Sequence, residues 1–178
     1  MTIYAKASPV GIDKAIYKVQ QKLNAIGWSN ISVYGKLYLT IRNDKVIAEA
    51  YKSSGEYAEV FLDDKQSAVF GFIVSDNREG LSFVKAELKL ICSINLDKVF
   101  DSTERKDEEA ILTVLRSITP TLLSDSEGAI ITDFENVFNG IDTERIKYRN
   151  MHPWLNFAVT FNVNYFNDMC DNNLVRTI

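Results

Sequence analysis

Histidine occurs once, cysteine twice, proline three times and glycine eight times in the 178 residues of this chain. Each shortage removes a class of chemistry. Cys92 and Cys170 are too few for a disulfide framework, and neither has a second Cys or His at metal-ligand spacing. No metal and no cofactor are therefore expected, and a reducing cytoplasm is the expected setting for folding. Glycine never gathers into G-x-G-x-x-G or a Walker sequence, so a phosphate-cradling loop is absent from the pattern. No apolar run approaches the roughly 20 residues that span a bilayer, and Met1 to Ala7 carries neither a basic cap nor a hydrophobic stretch suited to export.

What is present is an ordinary globular composition, 46% apolar and 25% charged, with length for one domain over residues 1–178 and a sizeable core. The net charge of −4 is unevenly spread. Residues 1–100 carry 13 basic and 11 acidic side chains, residues 101–142 carry 3 and 10, and residues 143–178 carry 4 and 3. The middle is an acidic block, and a pI near 5.1 argues against a dedicated nucleic-acid binder.

Periodicity divides the chain into helices and strands. Ser8-Pro9 reads as an N-cap followed by proline at the first helical position. Ile12, Ile16, Val19, Leu23 and Ile26 then form one helical stripe, closed by a left-handed Gly27. On the opposite side Lys14, Lys18 and Lys22 stand four apart. From Ile31 the period becomes two, with strands expected at Leu37 to Arg42, Val46 to Tyr51, Tyr57 to Leu62, Ala68 to Ser75 and Phe83 to Leu96, joined by short turns that imply antiparallel neighbours.

The last of these strands is the longest. It alternates from Val84 to Leu96 with only Ile91 breaking its polar side, and at roughly 3.3 Å per residue it would run about 45 Å. Such a strand must bend at a bulge or project beyond its own sheet toward a neighbour. Thr103-Glu104 opens a second helix through Ile111, Val114, Leu115 and Ile118, ending before Pro120. Residues 121–128 read as a loop. Ile130, Ile131, Phe134, Val137, Phe138 and Ile141 fit a third helix, although Ile130 to Thr132 equally suits a strand. After His152-Pro153 a final alternating strand carries Leu155, Phe157, Val159, Phe161, Val163 and Tyr165, and residues 166–178 read as a mobile tail. The order indicates an α+β domain, a mostly antiparallel sheet packed against the N-terminal helix and one or two others.

Candidates for chemistry are sparse. His152 sits at a chain corner without the neighbours that tune a base, and Cys92 lies on an apolar strand face, so both read as structural. Asp63-Asp64, Asp107 to Glu109, Asp125 with Glu127, and Asp168 with Asp171 read as solvated surface, since no spacing makes them converge. The most suggestive polar pattern is Arg145, Lys147 and Arg149. In an extended segment, with Ile146 and Tyr148 between them, these three cations point one way and face solvent, a protein partner or a phosphate backbone.

This arrangement resembles the tail-terminator and neck, or head-to-tail connector, ring proteins of tailed bacteriophages. The matching elements are the helix from Pro9 to Ile26, the strands between Leu37 and Leu96, and the late strand from Trp154 to Tyr165. The Asn- and Tyr-rich texture also looks like virion proteins of the crAss-like phages. The resemblance implies a homo-oligomeric ring linking portal and tail, with no catalysis, in contact with itself, adjacent portal, neck or tail rings and passively with DNA, located in a virion assembled in the host cytoplasm. Residues 101–150 depart from the short terminator plan, and no family site residue carries over.

Two other classes remain open on the residues alone: a small ligand- or protein-binding α+β module, and an enzyme using clustered carboxylates. On the ring reading, Lys14, Lys18, Lys22, Arg145, Lys147 and Arg149 are the interface candidates. The three lysines would face the 101–142 block of an adjacent subunit, and the later trio would face the next ring or DNA.

Overall fold

The computed structural model describes residues 2–53, 55–61, 65–75, 83–100, 104–121, 128–146 and 151–166. Eight strands form one mixed, mostly antiparallel sheet: β1 (Thr2–Ile3), β2 (Ile31–Arg42), β3 (Lys45–Ser53), β4 (Glu56–Glu59), β5 (Ala68–Ser75), β6 (Phe83–Asn95), β7 (Ala129–Ile131) and β8 (Trp154–Phe166). Their order across the sheet is β4-β3-β2-β5-β6-β8-β7, with β1 beside β2. Four helices complete the fold: α1 (Ile12–Asn24), α2 (Leu96–Val99), α3 (Asp107–Ile118) and α4 (Phe134–Val137). The expected α+β architecture is therefore present, and the details differ in instructive ways.

Not every neighbour is antiparallel. The β3–β4 hairpin lies outside β2 and carries the chain back, so β5 re-enters parallel to β2, pairing Ile31 with Ala68 and Val33 with Phe70. Gly35 sits within β2 where the register shifts between Val33 and Lys36, as glycine does at bulges. The β2–β3 hairpin turns at Asn43-Asp44, as the short connection between the expected strands requires, both residues left-handed at φ 51° and 60°, the geometry that suits a two-residue connection.

The long strand neither bends nor projects. β8 is equally long and pairs with β6 in one uninterrupted register from Phe83–Phe166 to Asn95–Trp154, while β5 covers the other edge of β6 from Glu87 to Ile94. Val84 and Ala86, at the end expected to form an arm, are buried by the same chain. The arm is ruled out because a second long alternating strand supplies the partner surface that the pattern demanded.

Alternation along these central strands divides the core between two faces. On one face α1 and α3 cover Ala68, Phe70, Phe72, Leu88, Leu90, Cys92, Phe157, Val159 and Phe161. The opposite face presents Val69, Ile91 and Ala158, covered by Leu37, Ala48, Ala50, Val60 and Phe61 from the curled β2–β4 region and by Val137, Phe138 and Ile146. Ile91, which broke the polar side of its strand, is thus the centre of a second core. Phe61 takes a left-handed backbone at φ 70°, uncommon for a bulky residue, and meets the Phe138 ring edge-on at 5.4 Å.

Helix boundaries also shift. α1 starts at Ile12, three residues after Pro9, and Gly11 stands at its N-cap with φ 56° and no side-chain cap. The stripe itself begins at Ile12, so Ser8 and Pro9 are spent in the connection, and a Cβ on Gly11 would lie 3.4 Å from the Tyr165 ring. Gly27 is left-handed as expected. The second expected helix begins at Asp107, and Thr103 lies outside the described residues. An unforeseen short helix, α2, is capped by Asn95, whose side chain accepts from the Lys98 N–H at 3.2 Å. Residues 129–131 took the strand alternative, pairing with Ala158 to Thr160, and only the single turn of α4 remains of the third helix. Of the loop expected at 121–128, Thr121 closes a 3-10 turn and 122–127 lie outside the described residues, as does the tail beyond Phe166.

Candidate functional site

The lysine row falls where the helix period of about 3.6 residues places it. Ile16, Val19, Gln20 and Leu23 are buried against the sheet, which leaves Lys14, Lys18 and Lys22 exposed on the outer side of α1. None of the three has an ion-pair partner among the described residues. Part of the acidic block packs beside this helix in the same chain, since the Ser117 hydroxyl of α3 donates to the Lys22 carbonyl at 2.6 Å.

Several of the block's carboxylates have internal duties. Asp133 caps α4 through the Asn136 N–H at 3.0 Å. Asp142 accepts from the Glu144 N–H at 2.9 Å, and together with Glu144 holds the Lys45 ammonium at 3.6 and 2.6 Å. These carboxylates hold the Lys45 pKa above its ordinary value, the Glu144 hydrogen bond first among the causes. Asp107 contacts Arg105. Glu108 and Glu109 stand exposed in the first turn of α3, where the helix dipole favours them.

Of the later cation trio only Arg145 lies among the described residues. Arg145 closes a 3-10 turn at Thr143–Arg145 rather than lying in an extended segment, because the Asp142 side chain caps that turn and buried Ile146 anchors its end. Lys147 and Arg149 lie outside the described residues, as do Asp63, Asp64, Asp125, Glu127, Asp168 and Asp171.

His152 pairs with Asp97, Nε2 to Oδ1 at 3.0 Å, with both side chains half exposed. The two segments are tied beside each other by the Leu96 N–H, which donates to the Pro153 carbonyl at 2.7 Å. Cys92 is fully enclosed, and burial pushes its thiol well above the ordinary range, so it stays protonated and packs as a small hydrophobe. Among the described residues no three His, Cys, Asp or Glu side chains are grouped to hold a metal ion, and no helix is long and apolar enough to cross a membrane.

Sequence reasoning missed a tyrosine cluster. Tyr51 of β3 pairs across from Tyr57 of β4, their rings 5.5 Å apart, and Tyr57 also meets Tyr38 edge-on at 5.6 Å. Tyr4 stacks flat on Tyr34 at 4.5 Å, with the Lys52 ammonium 6.0 Å from the Tyr4 ring. The available signal was the hairpin itself, because adjacent antiparallel strands bring same-face residues together in pairs.

Beside this cluster a cleft opens between α1 and β2, lined by Tyr4, Lys6, Asp13, Tyr17, Tyr38 and Tyr51. The cleft is shallow and open, with room of about 30 Å³, on the scale of a water or two. Lys6 contacts Asp13 across it, which raises the lysine pKa chiefly through that hydrogen bond. Gln20 closes the floor, donating its side-chain amide to the Tyr4 and Val33 carbonyls at 3.1 and 3.2 Å. The nearby buried carboxylate of Glu49 is likewise accounted for, accepting from Thr40 at 2.8 Å and pairing with Arg42 at 2.5 Å.

Large apolar side chains remain in water at both ends of the sheet. Ile41 is 76% and Leu39 43% exposed on one face of β2, Tyr57 is 51% exposed on the other face of the β2–β4 end, and Ile130 is 47% exposed on β7 at the other end. No protein-family model, curated protein or solved structure matches the chain.

Proposed function

We propose that the chain is a structural subunit of a homo-oligomeric ring at the neck or tail junction of a tailed phage, linking portal and tail and catalysing nothing. The observation that supports this reading is the exposure of large apolar side chains toward both ends of one sheet, Leu39 and Ile41 on one face of β2, Tyr57 on the other face of β4, and Ile130 on β7. Of these, Leu39 and Ile41 are successive same-face residues of β2 and form the larger apolar contact surface. A head-to-tail ring needs two different patches on opposite sides of each subunit; on this reading they lie at the β2–β4 end and along the β7 edge.

On this reading the unpaired Lys14, Lys18 and Lys22 face acidic side chains of the adjacent subunit, and Arg145, Lys147 and Arg149 serve docking to the next ring or to DNA in the lumen. The protein resides in the virion after assembly in the host cytoplasm. The resemblance of element order to tail-terminator and connector rings supports the phage setting. Solution mass across a wide concentration range, with negative-stain images, tests the reading: closed rings of one copy number are expected. A chain that stays monomeric at every concentration, or stops at a two-fold dimer, overturns it.

A monomer would instead favour a protein-binding module, a reading to which the tyrosine cleft lends a specific observation. Tyrosine-rich, charge-mixed surfaces supply rigid contact area at low entropic cost in protein recognition.

A further inference from the structure

We infer that the tyrosine cleft between α1 and β2 is a docking site for an extended acidic segment of another protein, whether the chain stands alone or in a ring. The first observation is aromatic surface left in water. Tyr57 is 51% exposed, Tyr17 37% and Tyr51 36%. All three gather around one opening, Tyr17 and Tyr51 in its lining and Tyr57 against Tyr38 and Tyr51. Rings of this kind bury a large area at low entropic cost when a partner covers them.

Charge selects the partner. Lys36 and Lys52 have no ion-pair partner among the described residues, and each lies over a ring of the cleft, 5.8 Å from the centre of Tyr38 and 6.0 Å from that of Tyr4. The carboxylates nearby are committed. Asp13, the one acidic residue of the lining, contacts Lys6, Glu49 across from Tyr38 holds Arg42, and Glu59 opposite Glu49 is engaged as well. Two ammonium groups are thus left over on a protein whose net charge is −4, so the cleft attracts carboxylates. The Tyr51 hydroxyl accepts from the Gly55 N–H at 3.2 Å, which leaves its own proton to donate.

Shape and ring geometry narrow the choice further. A cleft with room for only a water or two is no pocket for a small molecule, whereas a segment lying across it meets the chain around Lys6, α1, β2 and β3 together. The rings meet edge-on, Tyr38 with Tyr57 at 82° and Tyr51 with Tyr57 at 66°, and one face of Tyr4 is taken by Tyr34. Successive bases of a single strand need free ring faces and a groove of cations along the backbone. Interlocked rings with two spare lysines offer edges and hydroxyls instead, which favours an acidic peptide over nucleic acid. The floor is already ordered, since Gln20 ties the Tyr4 and Val33 carbonyls together, and that order lowers the cost of binding.

An array of random peptides probed with the purified chain at low salt makes the test. Bound sequences should be enriched in Asp and Glu interspersed with apolar or aromatic residues, and the chain carrying Lys36→Glu and Lys52→Glu should exchange that preference for Lys and Arg. By fluorescence anisotropy, a selected peptide should bind about tenfold more weakly to Lys36→Gln with Lys52→Gln, and about tenfold more weakly to Tyr57→Ala, with circular dichroism unchanged. If Tyr57→Ala does not fold, Tyr17→Ala on α1 takes its place with the same expectation. No enrichment of acidic sequences, or a preference that survives charge reversal, overturns the proposal. Tighter binding of labelled oligo-dT than of any selected peptide overturns it in favour of single-stranded nucleic acid. Self-association lost on charge reversal, without peptide binding by the unsubstituted chain, makes the occupant a second copy and overturns it too.

Discussion

The two faces of the sheet are built by different means. One is sealed by α1 and α3, regular helices whose buried residues repeat at three and four. The other is sealed by fragments: a hairpin curling over after the β2 bulge, Phe61 held in a left-handed conformation, and the single turn of α4. Both centres are equally dry, since Phe157 and Phe138 are each fully buried. A core can therefore be complete without any covering element being periodic, and it then depends on the chain's path rather than on one element's pattern.

The sharpest way to break this comparison is to hollow each core in turn. Phe157→Ala removes a fully buried ring from the helix-covered core, and should cost about 3–5 kcal/mol. Phe138→Ala belongs to the same class of change, but its surroundings are short and can collapse into the space. We expect about 3 kcal/mol, with hydrogen-exchange protection lost first in 134–146 and retained in β6 and β8. Denaturant unfolding of both variants checks the order. Equal, global loss of protection in the two would show that the faces form one cooperative unit and that the contrast has no energetic content.

Gly71 joins the two constructions. A Cβ there would lie 2.7 and 2.9 Å from the two methyl carbons of Leu37, so β5 and the bulged part of β2 approach only because that position has no side chain. Gly71→Ala should cost roughly 1–3 kcal/mol by overpacking. Combined with Leu37→Ala, the added methyl would fill part of the vacated space, making the double variant more stable than the sum of the two single losses predicts. Additivity within a few tenths of a kcal/mol would mean that Leu37 moves aside freely.

How much of this was legible in the residues follows the same division. The helix from Ile12 and the strands β5, β6 and β8 could be read because each buries a stripe of its own, and period alone reports that. The second face left one mark, Ile91 among polar neighbours. Its meaning depended on Phe61 and Phe138 arriving from distant segments, and no local period encodes such an encounter. The candidate surfaces divide likewise. The lysine row on α1 was readable from spacing, whereas the tyrosine cluster required the register that sets Tyr51 opposite Tyr57, which the expected neighbours alone do not fix. Arg145 was misplaced because alternation suggested an extended segment, while Asp142, three residues earlier, caps a turn instead.

A smaller and pH-dependent contrast concerns Cys92, on the helix-covered side. Burial raises its pKa well above 9.0, so above that pH the unfolded chain releases a proton that the folded chain retains. The unfolded state then binds fewer protons, and stability falls as pH rises. In a Cys170→Ser background, the advantage of Cys92 over Cys92→Ala should be constant below pH 8. Above pH 9 it should shrink by at most about 1.4 kcal/mol per pH unit. A pH-independent difference would show that the thiol reaches solvent before the chain unfolds.

The smallest expected effect on folding is at Lys14, Lys18 and Lys22, outside both cores. Replacing all three with Gln removes two like-charge contacts at four-residue spacing, worth about 0.2–0.5 kcal/mol each. It also removes the favourable position of Lys22 near the helix C-terminus, worth about 0.3–1 kcal/mol. These terms oppose each other, so the thermal midpoint should move by no more than about 2 °C. Assembly should respond differently. If these ammonium groups meet carboxylates of an adjacent subunit, the Gln variant should associate more weakly at low salt and lose most of its salt dependence, because the screened attraction is gone. Charge reversal to Glu should weaken association further while leaving the fold intact by circular dichroism. Unchanged association at low salt in both variants would remove the lysine row from the contact, and a large loss of thermal stability would place its partners within the same chain.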